Sequence, residues 1–489
     1  MTKTLAVTFS FVVVPIMLLL LALNRPATAE TPKHYTDLAF PPAPEIKLPD
    51  YTRFQLENGM VVYLVENHEL PLVGGTALIR TGDRWEPADQ VGLAAIMGTV
   101  MRSGGTQTHS ADEINAFLEQ RAAAIETSIG ETSGNASFSA LSQDLEPVFN
   151  LFAEILQEPA FPEAKINLAK TQQTGAIARR NDDPNSIASR EFRKLIYGSE
   201  SPYARVTEYA TIAKISRQEL VNFHQQYYQP KNILLGIVGD FDSQKMRQWV
   251  EAKFETWQPA TKLASVLALP KVSPAIANGI FLINQPQLTQ SNIRMGHLGG
   301  QLNDPDYPAL AVMNGILNGF GGRLFNEVRS RQGLAYSVSA TWRPQFDYPG
   351  VFSAGGQTRS DATVPFIKSV LAEIEKIRRS PVAAAELSYA KDVVANSFIF
   401  NFRSPAQTLG RLLTYEYFNY PQDFIFQNRK KVEATTIADV QRVAEKYLKP
   451  ENLVTLVVGN AAQIQPPLSS LESDVKVQAI DITIPPPQG

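Results

Sequence analysis

Residues 227–240 read YYQPKNILLGIVGD, and residues 447–460 read YLKPENLVTLVVGN. Tyr227, Pro230, Asn232 and Gly239 recur 220 positions later as Tyr447, Pro450, Asn452 and Gly459, each set enclosing an apolar run. The match continues upstream. Ser216-Arg-Gln-Glu219 and Thr436-Ile-Ala-Asp439 lie at the same offset, and each puts a hydroxyl three residues before an acid, the signature of a helix start. A cap, a helix, a Tyr-x-x-Pro-x-Asn turn and a buried strand in one order identify an internal repeat, so two copies of one folding unit are expected.

Working outward, the chain divides into halves at residues 50–258 and 276–462, joined by a linker at 259–275 where Pro259, Pro270 and Pro274 interrupt the pattern. In the first half, Phe54 to Asn67 has Asn58-Gly59 between two strand-like runs, a strong hairpin signal. Leu72 to Thr81 continues as a strand, and Ala136 to Ala140 alternates as a half-buried one. Helices are expected at Val91 to Met101, after Ser110 with Glu113 as a capping box, at Leu145 to Gln157 and at Glu163 to Arg180. This mixed order points to α+β domains rather than a parallel doubly wound sheet.

Composition narrows the chemistry. The 489 residues hold 45 Lys plus Arg against 48 Asp plus Glu, no cysteine and five histidines. There is therefore no disulfide framework, thiolate metal site, cysteine nucleophile or lipidated N-terminal cysteine, and any metal must be held by His and carboxylates. A net charge of -3 gives no electrostatic reason for a nucleic-acid partner.

The first 29 residues read as a signal peptide. Lys3 precedes an apolar run at residues 11 to 23, and Ala27-Thr28-Ala29 offers a small-x-small cleavage site. The expected product is exported, periplasmic or secreted; Pro15 and the short span argue against an uncleaved anchor. Residues 30–49 and the tail 463–489, which ends in Pro485-Pro486-Pro487, read as proline-rich segments without regular structure.

The histidines (His34, His68, His109, His224 and His297) contain no His-x-x-x-His pair that could bind zinc from one helix face. No Gly-x-Ser-x-Gly occurs. Asn318-Gly-Phe-Gly-Gly322 is glycine-rich but lacks the Lys-Ser/Thr of a P-loop. The segment containing those glycines is nevertheless the most informative one. Residues 318 to 338 read NGFGGRLFNEVRSRQGLAYSV: Leu324, Phe325 and Val328 make a helical apolar stripe, Gly333 is placed to stop it, and Ala335 to Val338 starts a strand.

Here the chain resembles the M16 family of zinc peptidases, the group containing pitrilysin, insulysin and the mitochondrial processing peptidase. The resemblance covers residues 50 to 462 and rests on the glycine turn, Arg-Leu-Phe, then Arg329 and, seven residues on, Tyr336, flanked by Asp304-Pro-Asp-Tyr307, Asn396-Ser-Phe398 and Phe402-Arg-Ser-Pro405. It implies two homologous domains of the LuxS/MPP-like metallohydrolase type, each a mainly antiparallel sheet packed with helices. It also implies zinc on the N-terminal domain, held by an inverted His-x-x-Glu-His motif and by a glutamate about 77 residues further on. Aligned through Gly92-Leu93-Ala94, the histidine positions are Ala95 and Thr99, the glutamate of the motif is Gly98, and the third ligand position is Ala176. None of these residues can ligate zinc or activate its water.

In the two-subunit branch of the family one protein carries zinc and its partner carries the Arg and Tyr, and this chain resembles that partner. The resemblance thus implies no cofactor in this chain, zinc in a partner subunit that has His-x-x-Glu-His, and peptide substrates closed between the two. Arg329 and Tyr336 would support substrate and transition state, with Gly319, Gly321 and Gly322 as a hinge or a tight turn. The competing expectation is a proteolytically inactive scaffold or peptide-binding protein of the same fold.

Overall fold

The computed structural model describes residues 48–258, 268–275, 278–472 and 475–487. The expected signal peptide, nearly all of the segment 30–49 and residues 259–267 of the linker lie outside them. Among the described residues no helix is long and apolar enough to cross a membrane.

The strands of the first half are β1 (Thr52–Gln55), β2 (Val61–Glu66), β3 (Leu72–Ile79), β4 (Ala124–Ile129), β5 (Gly134–Leu141) and β6 (Ile233–Gly239). Those of the second are β7 (Gly279–Asn284), β8 (Gln290–Leu298), β9 (Ser337–Arg343), β10 (Val351–Arg359), β11 (Val454–Gly459) and β12 (Val477–Ala479). The sheet orders are β1-β2-β6-β3-β5-β4 and β12-β7-β11-β8-β10-β9. Apart from the outermost strand, the second order is the first repeated. In the first half β6 inserts between β2 and β3, and in the second β11 inserts between β7 and β8, each parallel to the former and antiparallel to the latter. All other pairings between the matched strands are antiparallel, so the fold is α+β with mixed sheets, as the order of elements led us to expect.

The two repeated segments form β6 and β11, each preceded by a capped helix. Ser216 and Thr436 both close capping boxes, with Glu219 and Asp439 reaching back to the cap N–H. The hairpin at Asn58-Gly59 forms, with Gly59 at φ 93° where a side chain would be strained. Helices Leu93–Ser103, Ala111–Glu119, Leu145–Gln157 and Glu163–Ala178 fall where periodicity and caps place them.

Strands β6 and β11 are buried along their whole length, because each half lends a helix to the other's sheet. Pro405–Phe418 of the second half sets Leu409, Leu412, Leu413 and Tyr417 against Tyr63, Val65, Leu234 and Val238. Pro184–Tyr197 of the first half sets Ile187, Phe192, Leu195 and Ile196 against Phe281, Leu456 and Val458. Both helices begin with proline after a capping side chain, Asp183 or Ser404. A strand covered on both faces needs no polar alternation, which is why these segments read as unbroken apolar runs. Across the junction, buried Arg84 donates two hydrogen bonds to Asp347, at 3.0 and 2.8 Å.

The tail departs from expectation. Residues 463–489 read as lacking regular structure, yet Val477–Ala479 adds to β7 as the outermost parallel strand. Beyond it, Ile480 and Ile482 pack into the cluster between the halves and Ile484 against the core of the first half. Asn181 Nδ2 donates to Ile482 O at 2.7 Å. The prolines end this strap without preventing it, since an edge strand bonds on one side only. Deleting residues 475–489 should lower the unfolding free energy by about 2–3 kcal/mol, roughly 1 kcal/mol for each half-buried isoleucine. A urea midpoint equal to that of the full chain would show that the tail merely rests on the surface.

Candidate functional site

Two regions bear on chemistry. In the first, helix Leu93–Ser103 carries Ala95, Gly98 and Thr99, and helix Glu163–Ala178 carries Ala176. Ala95 and Ala176 line one cavity of about 450 Å³. Thr99 is exposed, its hydroxyl donating to Ala95 O at 3.0 Å. Gly98 is packed under β4: a Cβ there would stand 2.6 Å from Ile129 N and 2.9 Å from the Ser128 carbonyl carbon. Thr127 Oγ1 locks this approach by donating to Gly98 O at 2.6 Å.

The cavity does not suit a metal cation. Arg180, Arg190, Arg193 and Arg205 line it together with Asp83, Glu86 and Glu131. Two of its three carboxylates are already engaged: Glu131 pairs with Arg193 at 2.6 Å and accepts the Tyr348 hydroxyl, and Glu86 accepts two backbone N–H groups. No histidine lines it. His68 is bonded to Asp240 and His109 to Glu154, while buried His224 meets Leu156 O and His297 meets Leu298 O. Among the described residues no group of three or more His, Asp or Glu could hold a metal ion. Zinc requires such donors, so these residues do not fit it.

The second region is the segment after Asn318. Phe325–Arg331 winds as a π-helix, and Gly333, at φ 61°, ends it with its N–H donating to Arg329 O. Arg329 lies between two rings, 4.8 Å from the Phe325 centroid and 5.2 Å from that of Tyr336. Tyr336 is 79 % exposed. The neighbouring acid, Glu327, is held by Arg331 and Gln332, leaving the Arg329 guanidinium to the rings. The structure therefore brings Arg329 and Tyr336 together. Gly319 adopts φ 82°, and a Cβ at Gly322 would strike Asn318 O at 2.2 Å; both are demands of the turn. A Cβ at Gly321 would meet the Tyr389 ring at 2.7 Å.

Residues 62–198 match the sequence profile of the insulinase family (Peptidase family M16), and residues 214–394 match that of the Peptidase M16 inactive domain. The chain belongs to the M16 peptidase family. A crystal structure of a peptidase M16 inactive domain from Pseudomonas fluorescens superposes with a TM-score of 0.74 at 25 % identity, covering 86 % of this chain and 100 % of that one. Two Helicobacter pylori relatives differ in description. The zinc protease PqqE is 22 % identical over 84 % of this chain and 93 % of its own length. The non-peptidase homolog YmxG is 21 % identical over 81 % and 90 %.

Sequence reading overlooked two supports of these M16 regions. Glu86 caps the helix that carries Ala95, Gly98 and Thr99, accepting Gly92 N at 3.0 Å and Ala94 N at 2.5 Å in place of the side-chain cap that Gly92 cannot provide. Its distance from the helix start, with Pro87 between, hides it from a capping-box search. Asn314 and Asn318, one turn apart on and just after helix Tyr307–Leu317, bond the outer edge of β9. Each side chain accepts an N–H and donates to a carbonyl, at Trp342 and Ala340 respectively, closing that edge as another strand would.

Burial pushes the Glu86 carboxyl up to about 7, against the pull of its two backbone donors and with help from Asp83. Asp83 is itself pushed up to about 6, by burial and then by Glu131. A carboxyl raised on folding binds more protons in the folded than in the unfolded chain, so stability falls as pH rises from the ordinary value of 4.5 to about 7. The melting temperature should decline over that window, and Glu86→Gln should flatten the decline, as a thermal-denaturation series by circular dichroism would record. An unchanged slope would assign the decline to other groups.

Proposed function

We propose that this chain is the zinc-free subunit of an exported, two-chain M16 endopeptidase, in which a partner carrying His-x-x-Glu-His holds the metal and this chain supplies Arg329 and Tyr336. The observation that carries this reading is the contrast between its two regions. Ala95 and Ala176 look into a cavity lined by four arginines, while Arg329 and the exposed Tyr336 stand together at the mouth of β9. A phenol donates one hydrogen bond to the oxyanion that develops at a scissile carbonyl, and a guanidinium holds a peptide carbonyl or carboxylate. Export rests on the leader-like residues 1–29.

The test is reconstitution. The full chain, an M16 chain with an intact zinc motif, and their mixture are assayed on unfolded peptide substrates; only the mixture, or the mixture far above the zinc chain alone, should cleave. Stoichiometric zinc and peptide cleavage by this chain alone would overturn the reading. The relative described as a non-peptidase homolog favours a second reading, a peptide-binding or scaffold protein, which predicts association without added turnover.

A further inference from the structure

A second cavity, of about 290 Å³, lies against the sheet of the second half and has no part in either region above. In the antiparallel register Arg294 pairs with Gly355 and Gly355 with Ser339; two residues along, Asn292 pairs with Gln357 and Gln357 with Ser337. Directly opposed residues, and residues two apart, project from the same face. Both rows therefore line one face, and Arg343, four residues beyond Ser339, shares it. Gly355 puts no side chain between Arg294 and Ser339, which leaves the dimple.

The electrostatics of this face are one-sided. Strands β8, β9 and β10 carry three arginines and not one acidic residue. Arg359 pairs with Asp361. Among the described residues Arg294, half-buried, donates only to neutral acceptors on the opposing helix, Asn185 Oδ1 at 2.8 Å and Ser189 Oγ at 3.3 Å. Asp183, at the start of that helix, is held by the Ser186 N–H. Burial and the Arg343 guanidinium pull Arg294 below the usual arginine range, with no carboxylate to oppose them. Even a half-buried cation without a counter-ion is costly, and a guanidinium is matched in shape by a carboxylate. The serine hydroxyls add neutral donors, and the Asn292 amide keeps its N–H donors because its oxygen is taken by Gln357.

We propose that this cavity binds a carboxylate of an extended peptide, held by Arg294 with the Ser337 and Ser339 hydroxyls beside it. The inference rests on the peptide-handling reading above. Ser337 directly follows Tyr336 at the start of β9, and consecutive residues there project to opposite faces, so an extended peptide passing the start of β9 would meet the pair and the carboxylate site on either side of it, giving the site a preference that the pair alone does not impose.

The experiment uses the full chain and three unlabelled, N-acetylated forms of one short peptide, read by isothermal titration calorimetry. One has an internal Glu and an amidated C-terminus, one has Gln there and a free C-terminal carboxylate, and one has Gln and the amide. At least one carboxylate peptide should bind about tenfold more tightly than the neutral one, a difference of ~1.4 kcal/mol; which of them does so tells side chain from terminus. Arg294→Gln should erase the preference and leave the neutral peptide's affinity in place, which also shows that the variant is folded. Ser339→Asp, which supplies an internal carboxylate, should do the same. Equal affinity for all three peptides, or an equal loss for all three in Arg294→Gln, overturns the inference and leaves the two-chain reading to reconstitution. No binding of any of them overturns it as well.

Discussion

In the reconstituted pair, Tyr336→Phe should lower kcat about 10²- to 10³-fold, the usual effect of removing one oxyanion donor, while leaving KM and assembly nearly unchanged. The substitution deletes only the phenolic hydroxyl. The ring is 79 % exposed and its face rests on Arg329, so neither the core nor the stacking is disturbed. Arg329→Ala should act more broadly. It removes the cation between the Phe325 and Tyr336 rings, an interaction worth about 0.5–2 kcal/mol, and so it should both withdraw the proposed substrate ligand and release the tyrosine, affecting kcat and KM together. Arg329→Lys keeps the charge but not the planar fork, and should recover only part of the loss. Steady-state kinetics with co-purification as the assembly control would check the set. Wild-type turnover in both Tyr336→Phe and Arg329→Ala would sink the proposed roles.

The second large effect is on stability. Gly98→Glu should destabilise the chain by about 3 kcal/mol or more, the upper range for overpacking a filled interior, compounded by burying a carboxylate. The cause is backbone, not a pliable side chain: Ile129 N and the Ser128 carbonyl carbon stand where the Cβ must go. The double change Ala95→His/Thr99→His should fold, because Ala95 borders a cavity and Thr99 is exposed. Chemical denaturation of the double variant with and without Gly98→Glu separates these outcomes. A cost below about 0.5 kcal/mol, the range of ordinary surface substitutions, would mean that β4 yields easily. Rebuilding the whole motif with Ala176→Glu should still leave zinc weakly bound, since Arg180, Arg190, Arg193 and Arg205 remain around the cavity.

The elements that were legible in the sequence are those whose causes are local. The two capping boxes at Ser216 and Thr436, the Asn58-Gly59 turn and the amphipathic helix Leu145–Gln157 each follow from residues within a few positions of one another. The tail was misread for an instructive reason. Ile480-Asp-Ile482-Thr-Ile484 alternates as a strap with one face inward, but the prolines that follow weigh more heavily in a composition argument than three isoleucines do. Glu86, Asn314 and Asn318 were missed because each bonds backbone that is distant, or displaced, in sequence. The Arg294 cavity could not be seen at all, since it needs the register of three strands and a helix from the other half.

The sequence alone settled that this protein is a duplicated α+β chain of M16 type, because repeat order and motif identity are properties of the linear chain; its resemblance to the family sets Ala95, Gly98, Thr99 and Ala176 at the expected zinc positions. Only the tertiary structure decided how the halves interlock, with helices Pro184–Tyr197 and Pro405–Phe418 exchanged between sheets and the tail crossing from β7 to the first core. It alone also gathered arginines around Ala95 and Ala176, closed β4 over Gly98 and set Arg329 between two rings. Those outcomes depend on which distant surfaces meet, and burial and electrostatics act through space without regard to the number of residues between.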